Sequence, residues 1–324
     1  MTDSLTLLDV DKQQSIDDSV FPLVVDGSGV AANEVDSWIR ERHEAIAAQL
    51  ARNGAVLFRG FPVSDIEAFD AFVRAFDLPN FQYKDSLSNA VRVNKTERVF
   101  TANEAPPDVE IFMHHEMAQT PVYPSRLFFY CNKAAEQAGA TPICRSDLLW
   151  TRIKAEFPDF AAAAEQHGLL YTNVMPATDD PESGQGRSWG STFFAESRAE
   201  AEARMTELGY SWKWNEDGSL AATTPVLPAV RELDDGSQVF FNQLIAAFKG
   251  WKDSRNDPSK AITFGDGSPL DTPTVLAICD IADDLAFDIP WQDGDVALID
   301  NYRVMHGRRP FTGTRRVLAS LIAA

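Results

Sequence analysis

Cysteine is scarce in this sequence, with 3 residues in 324. Cys131, Cys144 and Cys279 are odd in number and show no close pairing motif, which excludes a disulfide framework and a paired-cysteine zinc site. Cys131 ends an apolar run and Cys279 sits in Val275-Leu276-Ala277-Ile278-Cys279. Both are expected as buried free thiols, and a reducing cytoplasm fits them best. Long apolar runs are missing too. Nothing approaches the ~18 residues of a membrane span, and the acidic start Met1-Thr2-Asp3-Ser4 has no basic leader character. Positive charge is in deficit: 29 Lys and Arg face 48 Asp and Glu, a formal charge of -19. That argues against binding a nucleic-acid backbone and for a well-solvated protein. Gly265-Asp266-Gly267-Ser268 is too short for a nucleotide loop and reads as a turn.

What is present suits a globular chain with a substantial core: 44% hydrophobic and 24% charged residues. Phe21 to Val25 reads as a short strand. Val35, Ile39, Ile46 and Leu50 recur at helical spacing, and Asn53-Gly54 supplies the stop. Ala55 to Gly60 follows as a strand. Ser64-x-x-Glu67 reads as a capping box opening a second helix. Residues 80 to 110 are irregular and end in a Pro106-Pro107 loop. Thr141 to Cys144 reads as a strand, and residues 147 to 166 as a helical stretch interrupted at Pro158. Ser197-x-x-Glu200 caps another helix, while Asp217-Gly218 and Asp235-Gly236 signal hairpins. A helix over 272–285 and strands over 296–300 and 317–322 complete the pattern. No repeat or inter-domain linker stands out, so one catalytic domain over 1–324 is expected. Residues 1–80 would be its N-terminal helix and strand cover, and 171–235 an insertion. The fold class is mainly β with helical elaboration (α+β), on a double-stranded β-helix (jelly roll) core.

Two of the 5 histidines lie in Phe112-Met113-His114-His115-Glu116-Met117. On a regular strand His114 and Glu116 share a face, whereas His115 points away. One imidazole and one carboxylate, joined by a distant imidazole, make the facial triad of a non-haem iron(II) oxygenase. His306, in Asp300-Asn301-Tyr302-Arg303-Val304-Met305-His306, is the candidate for the third ligand.

The ordered pieces His114-x-Glu116-Met117, Leu127 to Cys131, Gly139-Ala140-Thr141-Pro142, and Gly294-Asp295-Val296 through Arg316 carry a family likeness. The chain resembles the taurine-dioxygenase-like branch of iron(II)/2-oxoglutarate-dependent oxygenases, particularly clavaminate synthase-like members with Glu in the first motif. The resemblance implies Fe(II) on His114, Glu116 and His306, with 2-oxoglutarate and O2 as co-substrates. It implies Arg316, rather than Arg315, as the cation for the distal carboxylate of 2-oxoglutarate, with Thr141 beside it. Thr101, Asn103, Glu104 and Asn242 are candidates for substrate contact, with turn formation the competing role. Arg308 and Arg309 read as rim or solvated charges, and Trp189, Trp212 and Trp214 as core.

The implied substrate is an amino acid or amino-acid-derived small molecule, free or tethered to a carrier protein. The implied reaction is hydroxylation of an unactivated C–H bond. Glu116 fills the position that halogenases of this superfamily leave vacant. Desaturation, epoxidation and cyclisation use the same ligands, and a non-catalytic or non-oxidative metal-binding barrel is the second alternative. No nucleic-acid or membrane partner is expected; assembly into a homo-oligomer stays open.

Overall fold

The computed structural model describes residues 5–83, 86–88, 92–102, 105–180, 186–250, 255 and 261–324. Two sheets dominate. The six-stranded sheet runs, edge to edge, Leu23–Asp26, Ala55–Arg59, Val296–Asp300, Arg126–Lys133, Arg316–Ile322 and Phe100–Thr101. The second, one of two four-stranded sheets, runs Phe287–Ile289, Thr141–Arg145, Val304–Arg308 and Ile111–His114. All these pairings are antiparallel except that of Leu23–Asp26 with Ala55–Arg59.

The period of two along each strand sorts its side chains into layers. Leu127, Phe129 and Cys131 share one apolar cluster with Ala297, Ile299, Val317, Ala319 and Leu321. Ile143, Phe287, Ile289 and Val304 of the smaller sheet join that cluster, so the two sheets face each other across it. The alternate residues Phe128, Tyr130, Leu298 and Leu318 turn outward. They pack on Ile39, Ile46 and Leu50 and on Phe69, Phe72 and Val73. Those residues belong to the helices Val35–Asn53 and Ile66–Arg74. On the far side, Met113, Cys144 and Met305 face a third cluster. Many of its other members come from the helices Ser146–Glu156, Pro158–His167, Leu244–Gly250 and Thr272–Asp284. The order is helix, sheet, sheet, helix. Among the described residues no helix is long and apolar enough to cross a membrane.

Most expected elements are present, with local differences. The helix over 66–74 starts one residue later than the Ser64 box implies. Asp65 is its N-cap and accepts from the Ala68 amide at 2.8 Å. An aspartate next to a serine offers the stronger acceptor for a helix N-terminus. Phe21 to Val25 is two strands separated at Pro22, whose nitrogen cannot join a ladder. The break at Pro158 is real: one helix ends at Glu156 and the next begins on the proline. Both Asp-Gly hairpins form, Ser211–Trp214 with Leu220–Thr223 and Arg231–Glu232 with Gln238–Val239. Trp189 and Trp214 meet edge to face at 5.1 Å and pack with Trp212 against the cluster of this region.

Candidate metal centre

Strand geometry delivers the two imidazoles. Met305 and Met113 point outward to the helices, so His306 and His114 point into the space between the sheets. They are direct cross-strand partners, with ring centroids 4.3 Å apart. Close approach of these strands depends on Gly307. A Cβ there would lie 2.5 Å from the Ile111 carbonyl oxygen and 3.3 Å from Pro142 Cγ.

The carboxylate arrives by another route. The strand ends at His114, and Glu116 lies in the turn beyond it, so alternation along a strand does not place it. Asn301 does. Its Oδ1 accepts from the Glu116 amide at 2.7 Å. Its Nδ2 donates to the carbonyls of Glu116 at 3.0 Å and Pro124 at 2.8 Å. The next residue, Met117, takes a left-handed φ of 59°. The result brings donor atoms of His114, Glu116 and His306 within 4.8 Å of one another.

These residues fit a divalent iron. Nδ1 of His114 lies 2.7 Å from the Phe112 carbonyl oxygen, which accepts its proton and leaves Nε2 as the free donor. Nε2 of His306 is 3.4 Å from Oε2 of Glu116. Burial, then the charge on His306, lowers the His114 pKa to about 4, so the imidazole is neutral and able to ligate near pH 7. Burial alone would raise the Glu116 pKa. The Arg92 guanidinium beside it, with His306, overrides that and holds the carboxyl well below its usual range. His115 takes no part in the cluster. It packs on Phe241 and places Nδ1 2.5 Å from the Asn301 carbonyl oxygen. Burial lowers its pKa to about 3.

One cavity holds His114, His306, Thr141 and Phe129 together with Arg92, Arg308 and Arg315. Arg315 is the arginine that points in. Its Nε donates to the Gly139 carbonyl at 2.7 Å and its Nη2 to Thr141 Oγ1 at 3.1 Å. Thr141 Oγ1 also accepts from Trp291 Nε1 at 2.9 Å. Burial, then neighbouring Arg308, lowers the Arg315 pKa to about 10. Arg316 does not reach the cavity, which corrects the expectation: it is exposed and bonds Asn132 Oδ1 at 2.9 Å. The inward positions of its strand are Val317, Ala319 and Leu321. Arg315 is in phase with them and Arg316 is not.

Other expectations change as well. Arg308 is buried rather than solvated and donates to the carbonyls of Ala105, Pro106 and Val109. Arg309 pairs with Glu110, Asp283 and Asp288. Thr101 ends the strand Phe100–Thr101 and exchanges hydrogen bonds with the Val93 backbone, through its own amide and Oγ1. Asn242 is likewise structural. It donates to the Ala229 carbonyl and accepts from the Leu244 amide at the start of a helix. Asn103 and Glu104 lie outside the described residues. Arg92 and Asn301 were not singled out from sequence. Arg92 lies in an irregular polar stretch without a motif, whereas Asn301 sits beside the His306 segment and carried a positional signal.

Comparison with known proteins agrees with this geometry. The profile of the family described as "Taurine catabolism dioxygenase TauD, TfdA family" matches residues 19–321. The chain belongs to the TauD/TfdA family. A clavaminate synthase-like protein of Arabidopsis thaliana is 44% identical over 284 residues, 87% of this chain and 86% of that one. The dapdiamide synthesis protein DdaC of Enterobacter agglomerans is 28% identical over 314 residues, 90% of each. A Burkholderia xenovorans structure assigned as an alpha-ketoglutarate dependent 2,4-D dioxygenase shares the fold. Its TM-score is 0.54 at 14% identity, covering 99% of this chain and 97% of that one. As a TauD/TfdA dioxygenase, the chain uses Fe(II), 2-oxoglutarate and O2.

Proposed function

We propose that His114, Glu116 and His306 hold Fe(II), and that Arg315 with Thr141 receives the distal carboxylate of 2-oxoglutarate. The observation that carries this reading is the convergence of all five side chains on one space between two sheets. Two imidazoles and one carboxylate leave three positions of an octahedral ion open, which is the donor set of a 2-oxoglutarate oxygenase. When bound, iron and its co-substrates supply the oxidising chemistry, with 2-oxoglutarate losing CO2 to become succinate. The protein's own part is to hold the His114 imidazole neutral, keep Glu116 ionised and present a guanidinium fork to an anion. Thr141 fixes that fork by accepting from Arg315 and adds a hydroxyl to the same anion site.

The substrate is a small molecule of the amino-acid class, free or tethered to a carrier protein, and the outcome is hydroxylation of an unactivated C–H bond. Similarity to a protein named for dapdiamide synthesis supports this class. Glu116 supports hydroxylation over halogenation, because it fills the ligand position that halogenation leaves open. We further take the two facing sheets as a jelly-roll core in one catalytic domain over 1–324, with residues 1–80 as its cover and 171–235 as an insertion. The enzyme works in the cytoplasm; three buried thiols support that.

The test is anaerobic addition of Fe(II) and then 2-oxoglutarate, followed by a screen of amino acids and their amides for succinate release. A visible metal-to-ligand charge-transfer band, then one substrate that raises succinate above background, is expected. Absence of the band in the iron-loaded protein would sink the assignment of the metal and 2-oxoglutarate sites. A band without any responsive amino-acid substrate would sink the substrate class alone.

A further inference from the structure

The two oxygens of Glu116 have different neighbours. Oε2 lies toward the imidazoles, 3.4 Å from His306 Nε2. Oε1 accepts from Arg92 Nη2 at 2.9 Å. The Arg92 side chain is 8% exposed and that of Glu116 4%, so little water competes for this pair. The guanidinium is fixed from other sides as well. Its carbon lies 4.7 Å from the Tyr83 ring centroid and 5.4 Å from that of Phe100. Next to it, the Val93 backbone is paired with Thr101 in both directions.

We infer that Arg92 is the positioning residue that keeps Glu116 a one-oxygen ligand. The inference rests on the metal reading above and adds a reason for a residue that the triad does not include. A glutamate has one more rotatable bond than an aspartate, and a carboxylate beside a cation can grip it with both oxygens. A two-oxygen grip, added to His114 and His306, would leave two positions on an octahedral ion. Bidentate 2-oxoglutarate would fill both and leave none for O2. With Oε1 held by Arg92, Glu116 offers Oε2 alone and three positions stay open. Arg92 makes no claim on Oε2, so its ion pair need not break for metal to bind.

The experiment compares wild type with Arg92→Met, which keeps the bulk of the stem and removes the donors, and with Arg92→Gln, which retains an N–H. Co(II) affinity is measured alone. The charge-transfer band is then formed with Fe(II) and 2-oxoglutarate under anaerobic conditions, and its decay is timed after O2 is admitted. Arg92→Met is expected to keep its Co(II) affinity and form the band, while decay of the band on O2 slows about 10- to 100-fold, the order by which partners of metal ligands change activity. Arg92→Gln should fall between it and wild type. A merely structural role would lower Co(II) affinity and band formation together, and that result overturns the inference. So does an Arg92→Met enzyme whose band decays at the wild-type rate. A crystal structure of the wild-type chain with Mn(II) decides the matter without any variant. One Glu116 oxygen on the metal and the other on Arg92 is expected; two oxygens on the metal, or Arg92 turned away, refutes it. A wild-type enzyme that shows no band with Fe(II) and 2-oxoglutarate refutes the parent reading instead.

Discussion

At the scale of single residues, the three side chains that come together were legible and their supports were not. His114 and Glu116 announce themselves by spacing, yet Glu116 reaches the cluster from a turn that Asn301 holds. Asn301→Ala would leave the amide of Glu116 and the carbonyls of Glu116 and Pro124 without this partner, at about 1–3 kcal/mol for each buried group left unpaired. We expect a lower unfolding midpoint and weaker Co(II) binding, measured on the same preparation; unchanged metal affinity would separate Asn301 from the site. The two arginines were misread for a physical reason. Both faces of Val317 to Ile322 are buried, one against the facing sheet and the other against helices, so hydrophobicity gives no phase. Arg315→Leu should raise the 2-oxoglutarate requirement by tens- to thousands-fold, since truncating one side of a buried charge pair costs about 2–5 kcal/mol. Arg316→Leu, at an exposed position, should change it little. The reverse order in a titration of the charge-transfer band would return the anion site to Arg316.

Buried histidines also give the metal-free chain a pH signature. Unfolded, the His115 imidazole takes a proton near its ordinary value of 6.5; folded, burial delays that to about 3. Below 6.5 the unfolded chain therefore binds more protons, and stability is lost as pH falls through this window. The slope is up to about 1.4 kcal/mol per pH unit for each such imidazole. His114 acts in the same direction between 6.5 and about 4. Urea midpoints of the metal-free protein should drop from pH 7 to pH 5, and the drop should be shallower in His115→Phe. Equal midpoints at the two pH values would contradict neutral, buried imidazoles.

Elements were read well where a local signal specified them. The helix end at Gly54, with φ of 82°, and the two Asp-Gly hairpins are such cases. The strand Leu169–Met175 was not read, because buried Asn173 interrupts the apolar alternation of Leu169, Tyr171 and Met175. Pairing of Val304–Arg308 with Ile111–His114 was likewise invisible, since it joins segments far apart in sequence and slips register between His306 and Arg308. Gly307 sits at that slip and touches the opposite strand's backbone. Gly307→Ala forces the strands apart, and strain of this kind typically costs about 1–3 kcal/mol. It should separate His306 from His114 and weaken Co(II) binding more than it lowers the melting temperature. Wild-type Co(II) affinity in this variant would show that the site tolerates a wider strand spacing.

For the whole molecule, the overall charge and the charge at the site oppose each other. The chain carries a formal -19, while Arg92, Arg308 and Arg315 line the cavity that holds His114 and His306. A dianion approaching from bulk meets repulsion first and attraction only at close range. Added salt shortens the screening length from about 30 Å at 0.01 M to about 8 Å at 0.15 M. That weakens the distant repulsion more than the short contacts inside. The rate of charge-transfer band formation should therefore rise over this range in anaerobic stopped flow. A falling rate would mean that the guanidiniums steer 2-oxoglutarate from afar.

The Asn301 brace also sets a schedule for the life of the polypeptide. Asn301 follows Glu116 by 185 positions. At roughly 5–20 residues per second of synthesis, Glu116 exists for about 10–40 s before its brace and its third partner are made. The strand Val296–Asp300, made just before them, lies inside the larger sheet between Ala55–Arg59 and Arg126–Lys133. A nascent chain thus carries half a chelate and a split sheet until its final stretch emerges. A ribosome-bound fragment stopped before Asn301 lacks both the brace and His306, and we expect it to bind no Co(II) where the released chain does.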